Sequence, residues 1–249
     1  MGGQVTVWAW SADYNLGRMS RPERPTLRKQ TTTLWYYPSG QYGNQPMGTP
    51  GYKGATPSWV VWNLLERYTR PGDLVVDPFC GGGTTLDVAQ SLERAARGFD
   101  LNPQRPDIEE ADARALPLED ESVDLVFMDP PYSTHIEYSS SPACIGKLSS
   151  LEDAYYEAMQ AVFDEARRVL RDRRYLALFV SDSFEKKKGF APIGARLSGM
   201  LARDLRPIDH VAVVRGNRKL EKPAFHRAAS EGNFFLRGFT HLLLFKKEL

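Results

Sequence analysis

Three observations predict an α/β fold built on a mostly parallel, seven-stranded sheet covered by helices on both faces. Short β-branched runs alternate with segments of helical period along most of the chain. One run, "LVVD" at 74–77, leads directly into the glycine-rich "PFCGGG" and then into the helical pattern "TTLDVAQSLERA". Another, "VDLVFM" at 123–128, stops at "DPPY", where two prolines without N–H groups can continue neither a strand nor a helix.

Taken in order, residues 1–55 are irregular, as in "TTLWYYPSGQYGNQPMGTPGYKG", and read both as a cover over a core and as a Tyr- and Trp-rich loop layer that helps bind substrate. At Thr56 the pattern changes. "TPSWVVWNLLERY" offers Thr56 as N-cap, Pro57 at the first helical position and apolar residues at helical spacing. "RPGD" turns the chain into the strand at 74–77, and the helix after the glycine loop points Leu86, Ala89 and Leu92 toward the core. "ARGFD" at 96–100, a short segment at 108–112 and "VDLVFMD" are the next strands. A helix follows from Asp153 to Leu170, then the strand "YLALFVSDS" and a helix over 192–204. "HVAVVRGN" and "LRGFTHLLLFKK" end the sheet; without a helical pattern between them, they should pair antiparallel at one edge. There are no internal repeats, so residues 56–249 are expected to form one domain behind the 1–55 cover.

Composition narrows the function. The 249 residues, 42% hydrophobic and 25% charged, are those of an ordinary soluble globular protein. No apolar run approaches the ~20 residues of a bilayer span, and the N-terminus lacks a basic-then-apolar signal, so a cytoplasmic protein with no membrane partner is expected. "MGGQVT" matches a loose myristoylation pattern at Gly2 and Thr6, without a second anchoring signal. Cys80 and Cys144 form no CxxC, and His135, His210, His226 and His241 lie far apart, so neither a disulfide framework nor a metal site is expected. With a net charge of +1, nucleic-acid affinity must come from local stretches such as "RPERPTLRK", "RDRR" at 171, "KKK" at 186 and "RGNRKLEK" at 215.

The glycine loop is where a ligand would sit. Glycines allow positive φ and carry no Cβ, so backbone can touch a bound group. N–H groups at the following helix start favour an anionic group, and Thr84 stands where it can cap them. The spacing is not GxGxxG and no Gly-Lys-Ser/Thr follows, so dinucleotide and P-loop sites fit poorly. Asp77, Asp100 and Asp112 end successive strands, and a carboxylate at the second end can accept both hydroxyls of a ribose. One such Asp is an ordinary turn residue; three beside a triple glycine favour a nucleoside ligand.

These residues resemble a known family. "DPFCGGGTT" resembles the cofactor loop, and "DPPY" the catalytic motif, of the S-adenosylmethionine-dependent amino-methyltransferases that modify adenine N6 or cytosine N4 in DNA. "TPSWVVWNLLERY" resembles the segment preceding that loop, and the resemblance covers Thr56 to Tyr132 well. It implies a Rossmann-like class I methyltransferase fold, S-adenosylmethionine as cofactor and no metal. Asp77 is implied to reach the methionine amino end through water. The loop residues Pro78, Phe79, Gly81, Gly83 and Thr84 bring backbone to the cofactor, and Asp100 holds the ribose. Asp112 and Ala113 face the adenine, while Thr56 and Pro57 close the methionine side. The implied partner is duplex DNA with its target base flipped; a homodimer and a cognate restriction nuclease stay open. The loop precedes DPPY here, an order shared with RNA guanine-N2 and protein-glutamine methyltransferases. An RNA guanine-N2 methyltransferase is thus one alternative, and a catalytically silent nucleic-acid-binding module of the same fold is another.

The chemistry explains why DPPY suits this task. An exocyclic amino nitrogen is a poor nucleophile because its lone pair is delocalised into the ring. Two acceptors aimed at its two N–H bonds favour a tetrahedral nitrogen and stabilise the developing positive charge. Asp129 offers one through its carboxylate and Pro130 the other through its carbonyl. Pro130 and Pro131 keep the turn rigid, and Tyr132 can stack on a base extruded at a cost of about a few kcal/mol. Cys80 and Cys144 lack the preceding proline of a cytosine-C5 nucleophile. His135 and Tyr138 are candidates for contact with the DNA backbone, and sequence reading is expected from the 133–150 loop, the 1–55 layer and the 215–237 connection.

Overall fold

Alternation along each central strand decides which helices lie on which face. The computed structural model describes residues 27–37, 39–132, 136, 138–185, 188–214 and 222–248. Its strands are β1 (Leu34–Trp35), β2 (Leu74–Asp77), β3 (Ala95–Asp100), β4 (Ile108–Glu110), β5 (Val123–Met128), β6 (Leu170–Val180), β7 (Ser183–Glu185), β8 (Gly189–Ala191), β9 (Arg206–Val214) and β10 (Phe239–Lys246). The helices are α1 (Ser58–Tyr68), α2 (Thr84–Ser91), α3 (Asp153–Val169), α4 (Ile193–Leu201) and α5 (Pro223–Glu231). The main sheet runs β1-β9-β10-β6-β5-β2-β3-β4, and β7 pairs with β8 in a separate hairpin.

Leu125 and Phe127 of β5 and Ala177 and Phe179 of β6 pack with α1 and α2. Val126 and Met128, one residue out of phase, pack instead with α3 and α4, joined by Leu176, Leu178 and Val180. All six residues of β5 are buried, the apolar run at 125–128 as a strand covered on both sides requires and Asp124 in ion pairs with Arg171 and Arg174. Fully burying each Leu or Phe contributes about 1.5–3 kcal/mol, so both layers are held chiefly by this strand pair. Helix α3 carries Asp153 in its first turn and Arg167 and Arg168 in its last, charges that suit the helix dipole.

The expected mostly parallel sheet is present, with its antiparallel pairing toward one edge. β10 lies between β6 and β9 and runs antiparallel to both, with His241 opposite Val180 and Phe239 opposite Val214. The sheet has eight strands where the sequence suggests seven, because β1 pairs in parallel with β9. Two residues are too few to show a period. Trp35 and Tyr37 lie against Trp59 of α1, which fastens this part of the irregular N-terminal region to the core.

Other departures have physical reasons. Helix α2 ends at Ser91 rather than near 95, since Glu93 takes a positive φ of 62° and the chain turns into β3. A helix does lie between the last two strands, but α5 buries none of its residues and so shows no stripe facing a core. Residues 1–26, His135 and the rest of 133–135, and most of "KKK" and "RGNRKLEK" lie outside the described residues. Among the described residues, no helix is long and apolar enough to cross a membrane. The parallel strands β2, β3, β5, β6 and β9 all end at the sheet edge where β10 begins, and the site forms there.

Candidate active site

β2 delivers Asp77 to the sheet edge almost fully buried. Its carboxylate accepts the Phe79 N–H at 3.0 Å and the Thr85 hydroxyl at 2.6 Å, so it fixes its own turn and the start of α2. Burial pushes its pKa up to about 7; the Thr85 and Phe79 bonds pull downward, and nearby Asp100 adds to the rise. Gly83 occupies the N-cap of α2 in the left-handed region, and no side chain caps the helix. The expected capping role of Thr84 is therefore not found: its hydroxyl faces Gly48, and Thr85 supplies the working hydroxyl.

Asp100, at the end of β3, turns back onto the loop. Its Oδ2 accepts the Gly81 N–H at 2.9 Å and its Oδ1 the Asn102 N–H at 2.9 Å. Gly81 has φ 49°, and a Cβ on it would lie 2.8 Å from the Tyr52 ring. Gly83 has φ 80°, and a Cβ there would lie 2.5 Å from the Arg105 guanidinium. Both conformation and crowding thus demand glycine.

A strap from the N-terminal region crosses this loop. Thr49 donates its N–H to the Gly82 carbonyl at 2.7 Å and its hydroxyl to the same oxygen at 3.1 Å. The Gly48 N–H donates to Asp87 Oδ2 at 2.6 Å, and the Arg105 guanidinium holds both oxygens of Asp87. The strap places Tyr52 over the glycines. Burial pushes the Tyr52 phenol up to about 12, with Asp100, Cys80, Asp129 and Asp77 adding to the rise, so its ring stands among the site's carboxylates.

Asp129 follows β5 directly and is half-buried. The Thr56 hydroxyl donates to its Oδ2 at 2.6 Å. Here too the sequence-based assignment needs correction: Pro57, not Thr56, is the N-cap of α1, and the Thr56 hydroxyl reaches across to the DPPY corner. Burial drives the Tyr138 phenol upward, and Asp129 and Tyr132 reinforce this. Tyr138 lines the cavity, and its carbonyl accepts from Asn102 Nδ2 at 3.2 Å, which links this corner to the Asp100 side.

One cavity of about 670 Å³ joins these parts. Every expected site residue contributes to its wall except Gly83 and Pro130. Pro130 is buried behind Asp129, and Pro131 and Tyr132 face the space. Burial alone would raise the Asp112 pKa, but hydrogen bonds from Arg114 outweigh it and hold the carboxyl below its ordinary range. Arg114 also donates to the Ala143 carbonyl at 2.9 Å, which ties the turn after β4, where Asp112 lies just past the strand end expected of it, to the 133–150 region. The volume lies in the range of small-ligand sites, and the concentration of Asp77, Asp100, Asp112 and Asp129 favours a cationic guest. Burial pushes the Cys80 thiol well up, so it offers no thiolate nucleophile. Among the described residues, no group of three or more His, Cys, Asp or Glu side chains could hold a metal ion.

Tyr52 and the Thr56 contact with Asp129 escape a reading of the sequence, while Tyr138, expected at the DNA backbone, lines the cavity. The paired glycines Gly51 and Gly54, both at positive φ, mark "GYKG" as a tight excursion with a tyrosine inside it. Only the fold shows where that excursion lands.

Residues 7–110 match a family model described as DNA methylase. The type II methyltransferase M.Cfr9I of Citrobacter freundii is 40% identical over 52 residues, 21% of this chain and 17% of that protein. The type II methyltransferase M.EcaI of Enterobacter cloacae is 49% identical over 37 residues, 15% of this chain and 8% of that protein. The matched segments thus span less than a fifth of either relative's length. TrmN from Thermus thermophilus has a similar structure at a TM-score of 0.52 and 20% identity, covering 78% of this chain and 50% of that one. At that identity the likeness shows the fold, which is the class I methyltransferase fold.

Proposed function

We infer, for a chain whose residues 7–110 match a DNA methylase family model, that it methylates an exocyclic amino group of adenine or cytosine in DNA with S-adenosylmethionine as donor. One observation carries the reading: the glycine loop with its strand-end carboxylates and the DPPY corner open into a single cavity. The residues fit the donor. The loop brings its backbone at Gly81 and Gly82 to the cavity wall, and Asp77, Asp100 and Asp112 offer acceptors in the same wall. When bound, the donor supplies an electrophilic methyl group on a cationic sulfonium.

Asp100 accepts from the ribose, while Asp77 and the loop backbone hold the amino-acid end. Asp112 and Ala113 border the adenine. At the other end the Asp129 carboxylate accepts from one N–H bond of the target amine, and the carbonyl of Pro130, buried beside it, is the acceptor assigned to the second. Thr56 orients that carboxylate, and Tyr132 and Tyr138 enclose the base face. Positioning of the amine by Asp129 and its neighbours would supply much of the acceleration, and Asp129 or water would take the proton that the amine releases. The base must leave the stack to reach this corner. Residues 56–249 are read as the catalytic domain, with the strap before Thr56 as part of its wall.

The test is transfer of radiolabelled methyl from S-adenosylmethionine to duplex DNA, structured RNA and protein in parallel, followed by nucleoside analysis. Label in N6-methyladenine or N4-methylcytosine is expected. Label only in RNA or protein, with none in DNA, would overturn the assignment.

A further inference from the structure

A second unit stands at the same end of the sheet, made from the β7–β8 hairpin and the connection between β9 and β10. Phe234 stacks on Phe184 with centroids 5.0 Å apart and planes within 10°. The Arg237 guanidinium lies over the Phe190 ring at 5.1 Å. These two contacts bind the connection to the hairpin. On this unit Phe235 is 85% exposed, the most exposed large apolar side chain among the described residues.

That exposure is not a frayed end. The Phe234 N–H donates to the Ala229 carbonyl at 3.0 Å, and Arg237 donates to the Phe235 carbonyl at 2.5 Å. With Phe234 stacked on one side and Arg237 holding the other, the backbone presents the Phe235 ring outward. An apolar side chain held out in water calls for a partner, and Phe190 and Phe225 are exposed on the same unit.

Charge indicates which partner. Lys188, Lys222, Arg227 and Arg237 lie on these segments, against Glu185 at the end of β7 and Glu231 in α5. The buried Nε of Arg237 has no acceptor among the described residues. Position adds a third constraint. Val214, where the connection departs, and Thr240, where it returns, both line the cavity. Phe235 precedes Thr240 by five residues, so even a fully extended chain keeps it within ~18 Å of that wall.

A rigid aromatic ring, a basic surround and a cavity mouth nearby suit a duplex whose target base has been drawn out. We propose that Phe235 is a wedge that enters the base stack of duplex DNA beside the target nucleotide, with Lys222 and Arg227 on the flanking phosphates and Arg237 holding the wedge in place. This rests on the DNA-methyltransferase reading and deepens it.

The experiment uses the full chain and a short fluorescein-labelled duplex of mixed sequence, either intact or with one central abasic site. Binding is followed by anisotropy. A wedge gains most where a gap is ready, so the parent protein should prefer the abasic duplex. Phe235→Ala should lower affinity for that duplex about tenfold, the scale of one base–aromatic stack, and erase the preference. Phe235→Trp should keep it. Lys222→Gln with Arg227→Gln should weaken both duplexes alike and flatten the salt dependence. Unchanged melting and unchanged cofactor binding by calorimetry identify folded variants. If the parent transfers methyl to DNA while folded Phe235→Ala keeps the full abasic preference, the wedge is overturned and the activity stands. If the parent neither binds nor methylates DNA, both are overturned.

Discussion

Thr56 and Asp129, 73 residues apart in the chain, meet in a 2.6 Å hydrogen bond in which the hydroxyl donates to the carboxylate. The bond joins a residue two positions before α1 to the residue after β5, so the Asp129 carboxylate is aimed by the segment that leads into α1. Thr56→Ala should slow methyl transfer roughly tenfold or more, as expected on losing a hydrogen bond to an ionised group that must be aimed. Thr56→Ser should keep most of the rate. Single-turnover label transfer checks this, and an alanine variant as fast as the parent would remove Thr56 from the machinery.

Asp129 itself should matter for chemistry and little for donor binding. Asp129→Ala is expected to cost at least about a hundredfold in transfer, the scale of losing one acceptor for a developing charge. Cofactor affinity, measured by calorimetry, should stay near the parent's. Substantial remaining turnover would refute the assignment.

For Asp100 the emphasis reverses. Its carboxylate accepts from the Gly81 and Asn102 N–H groups and is assigned the ribose, so Asp100→Ala should first weaken donor binding. Leaving those two N–H groups without their acceptor should also lower stability by about 1–3 kcal/mol. Calorimetry and denaturant unfolding report the two effects separately. Parent-like affinity in the variant would end the ribose role.

Asp77 predicts a pH dependence. Burial raises its folded-state pKa from the ordinary 3.8 to about 7. Between those values the unfolded chain has released a proton that the folded chain keeps. Stability from this group is therefore complete at low pH, falls as pH rises toward 7, and is flat beyond it. Asp77→Asn removes the titration, so the variant should gain on the parent from about pH 4 to 7, by roughly a few kcal/mol. Denaturation midpoints of the pair across that range are the measurement; a constant difference would contradict a proton held at this site.

Most of the sheet was legible because β5, β6 and β10 contain apolar runs, at 125–128, 176–180 and 242–245, whose alternate residues feed two helical layers. The cavity was legible too, since Asp77, Asp100 and Asp129 sit at strand ends that a parallel sheet must gather. Capping was not. Thr56 and Thr84 stand where a local rule puts a helix cap, but Thr56 has a stronger acceptor 73 residues away, and Gly83 takes the cap before Thr84. Helix α5 was missed because its nine residues bury no face in the core, and β1 because pairing of two residues is decided by its partner strand.

Because β10 returns between β6 and β9, the β9–β10 connection begins and ends at the mouth of the cavity while both flanking ladders remain intact. That stretch is thus an exchangeable head on a fixed chassis. Replacing residues 222–238 should change which sequences are engaged and leave donor affinity where it was, since none of those residues lines the chamber.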